Sequence, residues 1–208
     1  MQAASLFALG NTQILIALFY AGLVCYGFIS DIRRLQIPNA IPAALLALFF
    51  FDYWLLPGKE SLVPHLAAFG ITFVITFALY AAGAMGAGDV KLISALMLWA
   101  GSKDGPFFLI SMALIGGVFA ALLILLRTGM SVWPPLQRYV PSRRLRAWAA
   151  RGVFPYGTAI CLAGLLVMPS YFAEPLTKGS PLLPLLSSPQ AEQDWPGSRG
   201  FPDPALVR

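Results

Sequence analysis

Long apolar stretches separated by short polar segments dominate the pattern along the chain. They cover residues 12–30, 40–56, 62–84, 92–101, 106–126 and 152–173. Most are close to the about 20 residues that a helix needs to cross a bilayer. The exception, 92–101, is only about 15 Å long as a helix, and extending it back to Met85 would carry Asp89 and Lys91 into the membrane boundary. The pattern predicts an all-α polytopic membrane protein with six transmembrane helices.

The composition supports a membrane location and excludes several kinds of site. Of the 208 residues, 58% are hydrophobic and 11% are charged, against roughly a quarter charged in soluble domains. A soluble fold of this size could not bury so much apolar surface, so we expect the lipid bilayer as a partner. Cys25 and Cys161 both lie in apolar stretches and His65 is the single histidine. These counts exclude a disulfide scaffold and a multi-histidine metal cluster, and we expect neither a metal nor a cofactor.

The distribution of basic residues predicts how the six helices are oriented in the membrane. The net charge is +5, but the charges fall between apolar stretches, which indicates membrane topology rather than nucleic-acid binding. Nine of the 14 Lys and Arg residues lie in the segments 31–39, 85–91 and 127–151, and five lie on the other side. Because cytoplasmic loops are enriched in Lys and Arg, we expect these three segments in the cytoplasm and both termini outside.

Two regions differ from the apolar stretches. Residues 127–151 mix six arginines with Trp133, Tyr139 and Trp148, which fits either an interfacial loop or a docking surface. Residues 174–208 are rich in proline and are predicted to be an unstructured tail. We therefore expect a membrane domain at 1–173 and a tail at 174–208.

Asp31 and Asp89 are expected on the same, cytoplasmic side, whereas Asp52, His65 and Glu174 lie towards the outside. Two carboxyl groups at one depth suit acid–base hydrolysis of an amide, because close carboxylates cannot both ionise cheaply. Each aspartate also has a plainer interpretation. Asp89 follows a glycine and could be a helix N-cap, and Asp31 could be a juxtamembrane acid beside Arg33 and Arg34.

Three sequence elements together resemble one family. They are Asp31 followed by Ile37-Pro38-Asn39, the segment Gly86-Ala87-Gly88-Asp89-Val90-Lys91-Leu92, and the later Pro155-Tyr156-Gly157. This combination is similar to the type IV prepilin peptidases, membrane aspartic proteases of the GxGD kind, over about residues 12–173.

The resemblance implies a function and a set of site residues. It implies cleavage of the leader from prepilin-like precursors, such as Flp-type pilins or pseudopilins, at the cytoplasmic face of the bacterial inner membrane. Asp31 and Asp89 would be the catalytic pair, with water as the only other reactant. The residues expected to bind substrate or shape the site are Gly86, Gly88, Lys91, Pro38 and Asn39.

The chain differs from the larger members of that family in one respect, which bears on whether methyltransferase activity is expected. Those members carry an extra N-terminal region, often with paired CxxC motifs, that is associated with methylation. Only 11 residues precede the first apolar stretch here, and no CxxC is present. The chain resembles the short type found with tight-adherence pilus systems, so methyltransferase activity is not carried over.

Other functions stay open at this point. A presenilin or signal-peptide-peptidase relative would share GxGD but have a Tyr-Asp pair, whereas Asp31 follows Ser30. A non-enzymatic transporter or assembly subunit could use the aspartates to carry protons. A catalytically inactive scaffold would share every motif. The substrate and the oligomeric state do not follow from the sequence.

Overall fold

Helices make up most of the part of the chain that the structure describes. The computed structural model describes residues 2–55, 61–133 and 155–178, together with 142, 143, 145, 146 and 148. The helices, in order, are α1 (Gln2–Arg34), α2 (Ala40–Leu55), α3 (Leu62–Ala81), α4 (Ala87–Val132) and α5 (Tyr156–Lys178). No β-strand occurs among the described residues, so the all-α prediction is confirmed for them.

Three helices are long and apolar enough to cross a membrane: α1 over Thr12–Arg34, α3, and α4. Two shorter apolar helices accompany them, α2 and the part of α5 over Tyr156–Phe172. Large apolar side chains such as Phe19, Ile71 and Leu125 are exposed on these helices, as expected for surfaces that face lipid. The number of spans and the sides of the termini remain predictions.

Helix α4 is broken at Gly101. This residue has φ 63° and ψ −166°, so α4 consists of two helical segments, 87–100 and 102–132. The break falls between the predicted apolar stretches 92–101 and 106–126. The His65 ring hydrogen-bonds through Nδ1 to the carbonyl oxygen of Leu98 at 2.8 Å. That contact satisfies a backbone carbonyl beside the break, where the regular helical pattern of hydrogen bonds is interrupted.

The break gives a prediction for stability. We expect Gly101→Ala to lower the melting temperature of the detergent-solubilised protein, since this backbone region is nearly restricted to glycine and strain there costs about 1–3 kcal/mol. An added Cβ would also lie 2.9 Å from both Cε1 and Nδ1 of His65. Gly117→Ala, in the same helix and with no atom within 4 Å of the added Cβ, is the matched control. Equal melting curves for the two variants would contradict this prediction.

The first segment of α4 forms the centre of the fold. Residues 92–101 are all buried, within a compact unit that covers Met1–Phe172. The Trp99 indole N–H donates to the carbonyl oxygen of Leu45 at 3.0 Å, and the Tyr20 hydroxyl donates to that of Gly164 at 3.0 Å. A helix that is apolar on every face is typically buried. Here the neighbouring helices rather than lipid surround it, which explains how so short an apolar stretch is accommodated.

Two predicted regions are described only in part. Helix α4 continues to Val132, so the start of the basic segment 127–151 is helical. Helix α5 continues to Lys178, past the predicted domain end at residue 173. Most of the remainder of both regions, including the side chain of Glu174, lies outside the described residues.

Candidate active site

Asp31 lies in the last turn of α1 and is held by the start of α5. Its side chain is 5% exposed. Its Oδ2 accepts two hydrogen bonds from Thr158, one from the backbone N–H at 2.7 Å and one from the hydroxyl at 3.0 Å. The first N–H groups of a helix have no partner within the helix, and the helix dipole favours negative charge there. Asp31 is therefore bound at a helix N-terminus, a position that suits an ionised carboxylate.

The segment after Asp31 turns the chain sharply into α2. Leu35 has a left-handed backbone conformation with φ 54°, and its N–H donates to the carbonyl oxygen of Asp31 at 2.8 Å. The Ser30 hydroxyl donates to the carbonyl oxygen of Gln36 at 2.9 Å. The Pro38 carbonyl oxygen then accepts from the Ile41 N–H at 3.0 Å, next to the start of α2. These bonds fix the conformation of the chain between α1 and α2, which includes Pro38.

Asp89 lies in the first turn of α4, close to Asp31. The N-cap of α4 is Gly86, so the interpretation of Asp89 as the N-cap is wrong. Asp89 instead occupies the third helical position, and its carboxyl group accepts a hydrogen bond from the Gly86 N–H. A carboxylate that reaches back to the N-cap in this way satisfies an N–H group at the helix end. The carboxyl groups of Asp31 and Asp89 repel each other electrostatically, so the structure brings the predicted pair together.

Ile37 packs between the glycines of two helices. A Cβ on Gly88 would lie 3.4 Å from Ile37 Cβ, and one on Gly157 would lie 2.7 Å from Ile37 Cδ1. Gly86 has φ −77° and ψ 145°, an extended conformation open to any residue. Gly88 therefore allows close approach to Ile37, whereas the tight turn nearby falls at Gly83, with φ 73°.

Lys91 and Asn39, both predicted to shape the site, contact each other. The Lys91 ammonium donates to the side-chain oxygen of Asn39 at 2.9 Å, on the exposed surface. Asn39 directly precedes α2, and its carbonyl oxygen accepts the Ala43 N–H at 3.3 Å. The hydrogen bond therefore ties the start of α2 to the first turns of α4, across 52 residues of sequence.

Because the contact between Lys91 and Asn39 is exposed, we expect its loss to have a small effect on thermal stability, and the same effect whichever partner is changed. We expect Lys91→Met, which keeps most of the apolar stem, and Asn39→Ala each to lower the melting temperature by about 1–3 °C. Because each change removes the same hydrogen bond, the double variant should melt no lower than the weaker single variant. Thermal unfolding of the four proteins in one detergent measures this. Additive shifts would show that the two side chains act independently.

Tyr156 and Thr158 complete the site around the two aspartates. Tyr156, in the first turn of α5, interacts electrostatically with Asp89. Its ring also packs against Gly116, close to where a Cβ on that glycine would lie. Pro155-Tyr156-Gly157 was singled out in the sequence, but Thr158 was not. The signal for Thr158 would have been a hydroxyl residue directly after that motif, in the last predicted apolar stretch.

Asp52 belongs to a second polar cluster. It is fully buried, and its Oδ2 accepts a hydrogen bond from the Tyr171 hydroxyl at 2.7 Å. The ring of Tyr171 also lies edge-on to that of His65, with centroids 6.2 Å apart. Asp52 lies about 18 Å along α2 from the start of that helix. The start of α2 is the end that follows Asp31 in the chain, so Asp52 lies far from it. Tyr171 could not be recognised as a partner of Asp52 from the sequence, because it lies in an apolar stretch.

Within the described residues, no three His, Cys, Asp or Glu side chains gather into a possible metal site. The two aspartate carboxyl groups can transfer protons, and Thr158 and Gly86 supply hydrogen-bond donors to them.

Comparison with known proteins gives one match. A model of the type IV leader peptidase family matches residues 17–121. The matched region contains both Asp31 and Asp89 and ends before α5, so Thr158 lies outside it. Neither the curated proteins nor the solved structures gave a match.

Proposed function

The chain belongs to the type IV leader peptidase family, and from this membership we propose that it is an aspartic endopeptidase acting on type IV prepilin-like precursors. Membership makes the protein a peptidase, and its long apolar helices fit a membrane protein. The observation that supports an aspartic peptidase is the pairing of Asp31 with Asp89 in the matched region.

The proposed chemistry needs water and the two carboxyl groups. Since adjacent carboxylates repel each other, one proton is shared unequally between Asp31 and Asp89. The ionised group can take a proton from water while the protonated group donates to the scissile amide. Burial strengthens these interactions, and the Asp31 side chain is only 5% exposed.

The position of the pair supports a site at the membrane surface. Asp31 ends α1 and Asp89 begins α4, so both lie at helix ends. Arg33 and Arg34 lie two and three residues after Asp31 and are exposed, and basic residues mark the cytoplasmic ends of spans. We place the site at the cytoplasmic face of the bacterial inner membrane. A precursor with a basic leader in the cytoplasm and an apolar helix in lipid would present its scissile bond at this depth.

The second candidate function, a proton-carrying transporter or assembly subunit, needs ionisable groups along a path through the membrane. Asp52, Tyr171 and His65 supply polar groups far from the aspartate pair along α2. Along α2, the residues before Asp52 include no ionisable side chain, and the buried ones among them are apolar. This apolar stretch favours the peptidase.

Leader cleavage in membranes tests the proposal. The full chain is co-expressed with prepilin-like precursors that carry a basic leader before an apolar helix, and the same precursors are expressed alone as the control. We expect a shortened precursor whose new N-terminus, determined by mass spectrometry, begins at or next to the apolar helix. Intact precursors across several pilin and pseudopilin types, with the chain present in the membrane, would favour the transporter or scaffold instead.

A further inference from the structure

Thr158 lies at the point where α5 meets the aspartate pair, and its role follows from its two hydrogen bonds. We infer that Thr158 is a positioning residue that holds Asp31 as the ionised, water-activating member of the pair and leaves Asp89 as the proton donor. The inference rests on the proposed peptidase function and adds to it an assignment of the two roles.

The two carboxyl groups have unequal hydrogen-bond donors. Asp31 Oδ2 accepts both the N–H and the hydroxyl of Thr158, at the N-terminus of α5. Hydrogen bonds to a carboxylate and the positive end of a helix dipole both favour its charged form. Asp89 has one backbone donor, Gly86, and interacts with the Tyr156 hydroxyl group. The shared proton therefore resides on Asp89.

The same geometry selects the reacting oxygen of Asp31. Both Thr158 bonds are made to Oδ2, and no bond to Oδ1 is formed by the residues that the structure describes. Oδ1 is therefore the oxygen that takes the proton of water. Thr158 does not touch the reacting atoms, and it acts by fixing the orientation and charge of Asp31.

The proton balance follows from this assignment. Asp31 removes a proton from water as the oxygen attacks the scissile carbonyl carbon, and the carbonyl oxygen takes the proton of Asp89. The resulting tetrahedral diol then collapses. Asp31 gives its proton to the leaving nitrogen as the C–N bond breaks, and one diol hydroxyl returns its proton to Asp89. The products are an acid and an amine, and the pair regains its starting charge.

Other titratable groups around Asp31 do not share this role. Asp89 of α4 and Cys161 of α5 interact with it electrostatically, and Arg33 and Arg34 follow it at the exposed end of α1. Tyr156 of α5 interacts with Asp89. Asn39, directly before α2, is bound by Lys91. Thiols, phenols and arginines ordinarily titrate above neutral pH, so the acid side of a pH–rate profile reports the aspartate pair.

The pH dependence of precursor cleavage tests the assignment. Purified wild type, Thr158→Val, Thr158→Ala and Thr158→Ser are compared by kcat and KM from acid to alkaline pH. We expect the two variants without a hydroxyl to lose about tenfold in kcat/KM at acidic pH, with the acid limb moved up by about one pH unit and the alkaline limb unchanged. Thr158→Ser keeps the hydroxyl and should restore the wild-type profile.

The alternatives give different results. A shift of the alkaline limb would assign Asp31 as the acid and overturn the inference. An equal loss at every pH, or a profile like that of wild type, would show that Thr158 supports only the fold or nothing at all. If Thr158→Val does not fold, Thr158→Ala carries the same comparison. Absence of cleavage by wild type would instead refute the proposed function on which the assignment rests.

Discussion

Asparagine in place of either Asp31 or Asp89 is expected to reduce leader cleavage by about 10³-fold or more. Asparagine is close in shape to aspartate but can neither take a proton from water nor donate one as an acid. The two losses should be similar, because groups that act as a unit lose most of their effect when either is removed. Asparagine at position 31 can still accept hydrogen bonds from Thr158, so the packing of α1 on α5 should persist.

Co-expression with a cleaved precursor, at matched amounts of each variant in the membrane, measures this loss. Asp104→Asn is the matched control, since Asp104 lies in α4 beyond the break at Gly101 and makes no contact with the site in the described structure. We expect the control to cleave like wild type. Cleavage by either the Asp31 or the Asp89 variant at a tenth of the wild-type rate or better would remove that residue from the catalytic pair.

The positions of the two aspartates could be predicted because local sequence determines them. Asp89 lies where a glycine-containing segment enters an apolar helix, and Asp31 lies where an apolar helix reaches two arginines. That both helix ends lie on one side of the membrane stays a prediction, which rests on counting spans. The contact between Lys91 and Asn39 was not predicted as a pair, because it joins α2 to α4 and depends on how the helices pack.

The break in α4 is a feature that the pattern of apolar residues could not predict in full. The sequence predicted a short apolar stretch at 92–101 and another after residue 105. In the structure, the two helical segments of α4 follow each other with only Gly101 between them. Composition could not distinguish lipid from protein as the apolar surroundings of residues 92–101. The Leu98 carbonyl beside the break is bonded by His65, a residue of another helix that the local sequence does not reveal.

Thr158 and Tyr171 could not be predicted for a similar reason. Each is a polar residue in an apolar helix. A threonine there can equally bond to its own backbone, and a tyrosine can simply contribute its ring to the core. Their partners, Asp31 and Asp52, lie 127 and 119 residues away in sequence. Only the packing of α5 against α1 and α2 makes these hydrogen bonds.

Gly157→Ala is expected to lower kcat for leader cleavage by about 10²-fold, because a displacement of about 1 Å at a catalytic group has an effect of this size. A Cβ on Gly157 would lie 2.9 Å from Asp31 Cγ and 3.0 Å from its Oδ2. The carboxylate is held by the adjacent Thr158, so it cannot move away without losing those bonds. By helix propensity alone the change should stabilise α5 by about 0.5–1 kcal/mol.

Steady-state cleavage of a precursor by Gly157→Ala measures the displacement, with Gly117→Ala as the control, since its added Cβ meets nothing within 4 Å. The same Cβ on Gly157 would lie 2.7 Å from Ile37 Cδ1, so the double variant with Ile37→Val separates the two contacts. Valine removes Cδ1 but leaves the clash with Asp31, and we expect the double variant to stay inactive. Recovery to within about threefold of wild type would place the critical contact at Ile37 and show that Asp31 tolerates the added methyl group.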